Sequence, residues 1–192
     1  MDETKKQSLK RVLGYGILLG IMGLLFTQFF FALSSPLKND SSPCSLLDPE
    51  FLAIKAQDFS LPDLKGNPRK LSNSLGEVVL LHFWATWCPP CVEELPSLVL
   101  LQAQMRRRKF RLVTVSVDED AAVVEKFFAA YKLPMLPVLL DPTKKTAASF
   151  GTEKFPETYL IDKNGIIQYR FVNKRDWNAP SARACIESIL EN

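Results

Sequence analysis

Four stretches in the middle of the chain alternate between nearly continuous apolar runs and apolar residues at helical spacing. Residues 77–84 and 110–117 are mostly apolar, which is typical of strands that are covered on both faces. Residues 90–107 and 121–131 instead place their apolar side chains three and four positions apart, the spacing of one helix face. This order predicts a β-α-β-α unit, whose parallel strands are joined by a right-handed crossover.

The last part of the chain predicts a hairpin followed by a helix. Residues 157–162 and 166–172 flank residues 163–165, Lys-Asn-Gly, which are a strong turn signal. Asn178 is a candidate helix N-cap, and Pro180 would lie in the first turn of the helix that it begins. These elements complete an α/β fold with a mixed central sheet flanked by helices.

An uncharged apolar run precedes these elements. As a helix, residues 12–33 would span roughly 33 Å, enough for a hydrocarbon core of about 30 Å, so they predict a transmembrane anchor. Four basic residues precede the run, and the positive-inside rule then keeps residues 1–11 in the cytoplasm. We therefore expect a single-pass protein of the cell inner membrane, with its folded domain on the periplasmic or extracytoplasmic side.

Two other interpretations of the apolar run remain open. Residues 32–34, Ala-Leu-Ser, weakly resemble a signal-peptide cleavage site, although the run is longer than the usual apolar region of a signal peptide. A buried helix of a soluble domain is the other alternative. Residues 34–50 are polar and contain proline, which predicts a linker, and residues 51–192 then form one domain of ordinary size.

Composition and charge exclude several classes of protein. The 192 residues carry 24 basic and 21 acidic side chains, and residues 1–11 account for two of the three net positive charges. The nearly neutral remainder lacks the basic footprint of a nucleic-acid-binding protein, so no nucleic-acid partner is expected. A hydrophobic content of 47% also excludes a disordered chain.

The candidate reactive residues lie between the first predicted strand and the helix that follows it, at Cys88-Pro89-Pro90-Cys91. A thiol at a helix N-terminus is near unpaired backbone N–H groups and the positive end of the helix dipole, which stabilise its thiolate. Cys88 is expected to be the more exposed nucleophile, and Cys91 the resolving thiol that acts through a mixed disulfide. Half of a zinc site has the same spacing, but the other cysteines and the single histidine have no metal-like spacing, so no metal is expected.

Longer motifs around the two cysteines resemble a known family. They lie, in chain order, at residues 83–91, 94–96, 155–162 and 176–177. The first, Phe-Trp-Ala-Thr-Trp-Cys-Pro-Pro-Cys, resembles the active-site run of the thioredoxin superfamily, and Trp84, Pro89 and Pro90 belong to it. Together the motifs resemble the membrane-anchored thioredoxin-like thiol–disulfide oxidoreductases of the TlpA/ResA/DsbE type, over roughly residues 56–190.

That resemblance implies a thioredoxin fold in which Pro156 is cis and lies beside the two cysteines. It implies that Trp87, Phe155 and Pro156 contact the substrate, with the backbone of Phe155 pairing with an extended peptide. It further implies an extracytoplasmic enzyme that reduces protein disulfides, for example those of apocytochrome c in cytochrome c maturation, with electrons from a membrane thiol donor. The redox-active disulfide Cys88–Cys91 would serve without a separate cofactor.

Two ionisable residues near the cysteines each have a functional and a structural interpretation. The resemblance places a partly buried carboxylate at Glu94, where burial would raise its pKa and let it exchange protons with Cys91. Alternatively, Glu94 has no catalytic role, and its negative charge only interacts favourably with the helix dipole. His82 occupies a position that resembles the site of a proton-relaying acid in thioredoxins, but a neutral core histidine is the favoured interpretation, and the relay is kept as a hypothesis.

The other two cysteines are expected to be less reactive. Cys185 lies on the apolar stripe of the last predicted helix and is interpreted as a core residue. Cys44 lies in the predicted linker, in a compartment that tolerates disulfides, and could pair with Cys185 or with a partner chain.

Two alternatives to disulfide reduction remain open. Residues 127–141 resemble the related thiol peroxidase branch, with Thr86 ahead of a reactive cysteine, although Cys91 follows so closely that dithiol exchange is favoured. The second alternative is a tethered holdase that binds extended peptides beside Pro156 without redox turnover.

Overall fold

The computed structural model describes Gly16, residues 19–30 and residues 42–191. The chain divides into two units, Met1–Asp40 and Ser41–Asn192, and in the first unit residues 19–30 are helical with exposed side chains. Within these described ranges, no helix is both long enough and apolar enough to span a bilayer. Residues 1–11 and the ends of the predicted anchor, 12–33, lie outside the described residues, so the anchor stays a prediction.

A six-stranded mixed sheet forms the centre of the second unit. Its strands are β1 (Glu50–Lys55), β4 (Val78–Trp84), β5 (Phe110–Ser116), β6 (Val138–Leu140), β7 (Glu157–Ile161) and β8 (Ile166–Val172), and a separate pair joins β2 (Ser60–Pro62) to β3 (Pro68–Lys70). The order in the large sheet is β1-β8-β7-β4-β5-β6. Strand β4 pairs in parallel with β5 and antiparallel with β7, which confirms the predicted α/β class with a mixed sheet.

The described part of the second unit also contains four α-helices, α1 (Pro89–Met105), α2 (Ala121–Tyr131), α3 (Lys145–Ser149) and α4 (Pro180–Glu191). Helix α2 begins where the Asp120 carboxylate accepts a hydrogen bond from the Val123 N–H at 3.0 Å, a side-chain N-cap. The prediction of Asn178 as the N-cap of α4 is wrong by one residue. The carbonyl of Ala179 accepts the bond from the Arg183 N–H at 3.1 Å, so Ala179 directly precedes the helix.

Strand β4 lies in the middle of the hydrophobic core. All seven of its residues are buried, as predicted for a central strand, and α1 buries leucines at helical spacing. Trp84, at the end of β4, packs against Phe127 and Phe128 of α2 with ring centroids 5.7 and 5.8 Å apart. Trp84 is therefore a core residue that stabilises the strand end where the chain turns into α1.

The folded domain begins earlier than residue 51, so the predicted linker over residues 34–50 is wrong in its last part. Pro43–Leu47 form a 3-10 helix, and Cys44 is joined to Cys185 of α4 by a disulfide. Cys185 is in the core as predicted, but it is paired, and the pairing that was one alternative for Cys44 is the one observed. A covalent bond thus attaches the start of the domain to its last helix.

Candidate active site

The two motif cysteines lie where β4 ends and α1 begins. Cys88 is the N-cap of α1, Pro89 and Pro90 form its first two positions, and Cys91 lies one turn further in. The two sulfurs are joined in a disulfide, in which Cys88 is 5% exposed and Cys91 is fully buried. Cys88 is therefore the less deeply buried of the two residues.

The first turn of α1 supplies the groups that stabilise negative charge on Cys88. Its Sγ accepts a hydrogen bond from the Cys91 N–H at 3.3 Å, and the positive end of the helix dipole lies at the same position. Pro89 and Pro90 lack backbone N–H groups and polar side chains, so the helix terminus itself supplies this stabilisation.

Asp118 holds the turn that carries Cys88. It follows β5 and is buried, and its carboxylate accepts hydrogen bonds from the Thr86 N–H at 3.0 Å and the Thr86 hydroxyl at 2.7 Å. The Ser116 hydroxyl donates a third bond at 2.6 Å. Because β4 and β5 are parallel neighbours, their carboxyl ends meet at one edge of the sheet. Sequence analysis missed Asp118, although an acidic residue just after the neighbouring strand is a usable signal.

Glu94 is buried on the inner side of α1. It is 2% exposed, and burial raises its pKa to about 8 although the Trp177 indole N–H donates a hydrogen bond to its Oε1 and Arg175 lies nearby. Its other oxygen, Oε2, has no hydrogen-bond partner within the described part of the chain. The structure therefore places a carboxyl group with a near-neutral pKa one helical turn after Cys91.

Trp177 is held in place for its contact with Glu94. Its backbone N–H donates to the Ser97 hydroxyl at 3.1 Å, and that hydroxyl donates to the Glu94 carbonyl at 2.7 Å. A cleft of about 510 Å³, lined among others by Glu94, Lys174 and Arg175, opens beside the group. The indole partner was missed at the sequence level, because residues 176–177 are far from the cysteines along the chain.

His82 is fully buried on β4 and is neutral. Its Nδ1 is 2.9 Å from the Thr158 hydroxyl, and its Nε2 has no hydrogen-bond partner among the described residues. Burial lowers its pKa to about 3, and no charged group contributes to that shift. These observations favour the core interpretation of His82 over the proton relay.

Trp87, Phe155 and Lys144 form the surface next to Cys88. Trp87 is 58% exposed, and its ring meets the Phe155 ring edge-on with centroids 6.1 Å apart. The Nζ of Lys144 lies 5.5 Å from the centre of the Trp87 ring. The Phe155–Pro156 bond is cis, as the resemblance implied. The structure thus brings the expected contact residues Trp87 and Phe155 together and adds Lys144, which sequence analysis did not single out.

The buried Glu157, which directly follows Pro156, forms an ion pair with the partly exposed Arg170 of β8. The Glu157 carboxylate accepts hydrogen bonds from Arg170 at 2.8 Å and from the Tyr159 hydroxyl at 3.1 Å. Burial raises the pKa of Tyr159 to about 12, so its hydroxyl stays protonated as a donor. Arg170 also donates to the Gly151 carbonyl at 3.0 Å, which joins β7 and β8 to the segment before Phe155.

Comparison with known proteins agrees with this geometry. The sequence profile of the AhpC/TSA family matches residues 53–170. The chain is 36% identical to the thiol-disulfide oxidoreductase ResA of Geobacillus kaustophilus over 113 residues, 59% of this chain and 64% of that protein. It is 30% identical to the ResA of Bacillus thuringiensis over 173 residues, 89% of this chain and 91% of that protein.

A similar fold is found among solved structures. The crystal structure of a DsbE-type thiol:disulfide interchange protein from Chlorobium tepidum matches with a TM-score of 0.65 and 34% identity. The match covers 72% of this chain and 96% of that one. The predicted thioredoxin-like fold is thereby confirmed. Among the residues described here, no three histidine, cysteine or acidic side chains are grouped as metal ligands.

Proposed function

Because the chain belongs to the AhpC/TSA family and to the thioredoxin-like thiol–disulfide oxidoreductases of the TlpA/ResA/DsbE type, we propose that it reduces protein disulfides through Cys88 and Cys91. One observation carries this proposal: Cys88, the less deeply buried of the two cysteines, lies at a helix N-terminus and is bonded to the buried Cys91. The pair itself carries the two electrons, so the proposed reaction uses no separate cofactor.

The proposed reaction is two successive thiol–disulfide exchanges. The Cys88 thiolate attacks one sulfur of the substrate disulfide, which forms a mixed disulfide and releases the first substrate thiolate. Cys91 then loses its proton and attacks the Cys88 sulfur, which forms the intramolecular disulfide and releases the second substrate thiolate. The dithiol loses two electrons and two protons, and the substrate leaves as a dithiol.

Glu94 is the proposed acid and base for Cys91. The pKa of the Glu94 carboxyl group, about 8, is near the working pH, so the group can both accept and return a proton. As a carboxylate, Glu94 takes the proton of Cys91 before resolution. When a donor dithiol reduces the pair again, Cys91 leaves as a thiolate and neutral Glu94 protonates it. The cleft beside Glu94 supports proton exchange with solvent.

The proposed setting is an extracytoplasmic space, with the domain attached by the predicted anchor, residues 12–33. The uncharged run, its basic flank and a disulfide away from the active site support it. Electrons would come from a membrane thiol donor and go to protein disulfides, apocytochrome c being one substrate. Recovery of the full chain in membranes washed at alkaline pH supports the anchor, and its release into the wash contradicts it.

Reduction of insulin by the full chain in detergent tests the activity. With dithiothreitol as donor, the natural protein should precipitate insulin faster than dithiothreitol alone, and Cys88→Ser should fall to the background rate. Reduced Cys91→Ser that has been freed of dithiothreitol before insulin is added should accumulate the mixed disulfide with insulin, because the resolving thiol is missing. Glu93→Gln, on the exposed side of α1, is the matched control and should retain the natural rate. If the natural protein reduces insulin only at the background rate, the holdase alternative is favoured.

The midpoint potential of Cys88 and Cys91 tests the direction of transfer. A reductase should have a value near that of thioredoxin, about −270 mV, whereas a value near about −120 mV would make the protein an oxidant. Titration of the full chain against dithiothreitol, with alkylation and mass analysis of each fraction, measures it. An oxidising value would contradict the reductase while leaving dithiol chemistry intact.

The thiol peroxidase alternative is favoured by the AhpC/TSA profile match. The Thr86 hydroxyl, however, donates to Asp118 instead of facing a peroxide, and Cys91 already pairs with Cys88. Peroxide consumption by Cys91→Ser at the natural protein's rate would establish the peroxidase. The same variant would at the same time have lost insulin reduction, which does not depend on peroxide.

A further inference from the structure

The surface beside Cys88 combines two aromatic rings with one cation. Trp87, which directly precedes Cys88, is 58% exposed, and it is bordered by Phe155 and by the Lys144 ammonium, 5.5 Å from the ring centre. A cation at that distance is attracted to the face of the indole ring. We call these three residues the Trp87 surface. A disulfide that approaches Cys88 must bring its flanking residues close to it.

The position of Lys144 is set by a turn built on a buried carboxylate. Asp141 is 2% exposed, and it accepts hydrogen bonds from the Ala147 N–H at 2.9 Å and, through its carbonyl, from the Lys144 N–H at 2.9 Å. The Asp141 N–H donates to the Ser116 carbonyl at 2.8 Å, which attaches the turn to β5. Lys144 itself has a φ of 58°, a left-handed conformation that side chains other than glycine rarely adopt. The backbone of Lys144 is thus fixed before any substrate arrives.

The ammonium of Lys144 is free to bind a negative group. No carboxylate of the described residues lies within ion-pair distance of it, and its side chain is exposed. A carboxylate in a substrate would therefore meet the Lys144 ammonium beside the aromatic rings.

We propose that Lys144 is a specificity-determining residue, which selects disulfides with an acidic residue next to the cysteine that Cys88 attacks. The inference rests on the proposed disulfide reduction and names its substrate class. The carboxylate pairs with the Lys144 ammonium while the adjoining part of the peptide packs on Trp87 and Phe155. Charge complementarity of this kind favours the encounter with matching partners and disfavours basic ones.

Three matched peptides test the inference. Each has one intramolecular disulfide and differs only in the residues flanking one cysteine, which are glutamate, glutamine or lysine. With the reduced full chain in detergent at low salt, kcat/KM should be about two- to fivefold higher for the glutamate peptide than for the lysine peptide, the effect of one exposed ion pair. Salt should reduce the difference, because the charges are screened.

Variants of Lys144 separate charge from shape. Lys144→Gln should remove the preference, Lys144→Glu should reverse it, and Lys144→Arg should keep it. Lys145→Gln is the control: in the described part of the chain it is the Lys144 ammonium that lies over the Trp87 ring, so loss of the exposed Lys145 charge should leave the preference nearly unchanged.

Two results would overturn the inference. One is an unchanged preference in Lys144→Gln. The other is an equal loss for all three peptides together with slower alkylation of Cys88, which would mean that Lys144 acts on the thiol and not on the substrate. Failure of the proposed function looks different, since the natural protein would then reduce none of the three peptides.

Discussion

Glu94 and His82 illustrate how burial sets the charge of a side chain. Burial raises the pKa of Glu94 to about 8 and lowers that of His82 to about 3, because it disfavours the charged form of each. Both are therefore mainly neutral at pH 7, and each has a neutral hydrogen-bond partner, Trp177 or Thr158. The difference lies in position: Glu94 follows Cys91 on α1 and borders a cleft, whereas His82 lies within the central strand.

Glu94→Gln should change the pH dependence of disulfide reduction. The natural protein should become faster as the pH rises through about 8, because Glu94 must be ionised to take the Cys91 proton. The variant should lose this inflection and be slower by about 100-fold, the usual scale of general base catalysis. Rates from pH 6 to 9 measure it, with Glu93→Gln as the control. An inflection that survives in Glu94→Gln belongs to another group.

The same two residues should shape the pH dependence of stability. The contribution of Glu94 to the free energy of unfolding is largest below pH 4.5 and is lost as the pH rises to about 8. The contribution of His82 is present above pH 6.5 and is lost as the pH falls towards about 3. In guanidinium unfolding of the oxidised chain, the free energy of unfolding of Glu94→Gln should rise relative to that of the natural protein by roughly 1 kcal/mol for each pH unit between 4.5 and 8. A pH-independent difference would contradict the raised pKa.

The 3-10 helix Pro43–Leu47 is the element that depends most on tertiary contacts. It is too short to be stable alone, yet Cys44 and Leu47 are buried and the disulfide joins it to α4. The Tyr169 hydroxyl on β8 donates a further bond to Ser42 at 3.0 Å. The element fixes the point at which the folded domain begins.

Replacing both Cys44 and Cys185 by serine should lower the free energy of unfolding by about 2 to 5 kcal/mol, because the unfolded chain loses a long closed loop. Insulin reduction by the folded variant should stay near the natural rate, since neither residue is next to Cys88. Guanidinium unfolding and the insulin assay measure the two effects. Equal stability would mean that the disulfide does not constrain the unfolded chain, and a lost activity would couple it to the active site.

At the scale of the whole molecule, one domain contains two disulfides of different accessibility. Cys88 is 5% exposed, whereas Cys44 and Cys185 are both fully buried between the 3-10 helix and α4. Exchange requires a thiolate to approach a sulfur along the disulfide axis. A donor can therefore reduce the catalytic pair while the structural one stays closed, which the proposed turnover requires.

Limited dithiothreitol should therefore reduce the two disulfides in order. When each sample is quenched with acid and unfolded before alkylation with iodoacetamide, mass analysis should first show two labels, at Cys88 and Cys91, and should show labels at Cys44 and Cys185 only when the reduction itself is carried out in guanidinium. Simultaneous appearance of four labels in the native protein would show that the buried disulfide is open to exchange.

Local pattern predicted the elements that position the dithiol. Strand β4, helix α2 and the β7–β8 hairpin were predicted within one residue at their ends, because each has a long periodic apolar pattern. Strands β1 and β6 and helix α3 were not predicted. Strand β6 and helix α3 are only three and five residues long, and β1 is an exposed edge strand that pairs with β8, so its conformation depends on that partner.

The sequence by itself determined the α/β class, the central strand and the Cys88–Cys91 pair at a helix start, since all three follow from local periodicity and spacing. The tertiary structure alone decided the partners: Asp118 for Thr86, Trp177 for Glu94, Cys185 for Cys44 and Lys144 for Trp87. These pairs are separated by tens of residues or more along the chain. Their contacts, and the burial that shifts the pKa of Glu94, exist only once the sheet has brought distant segments together.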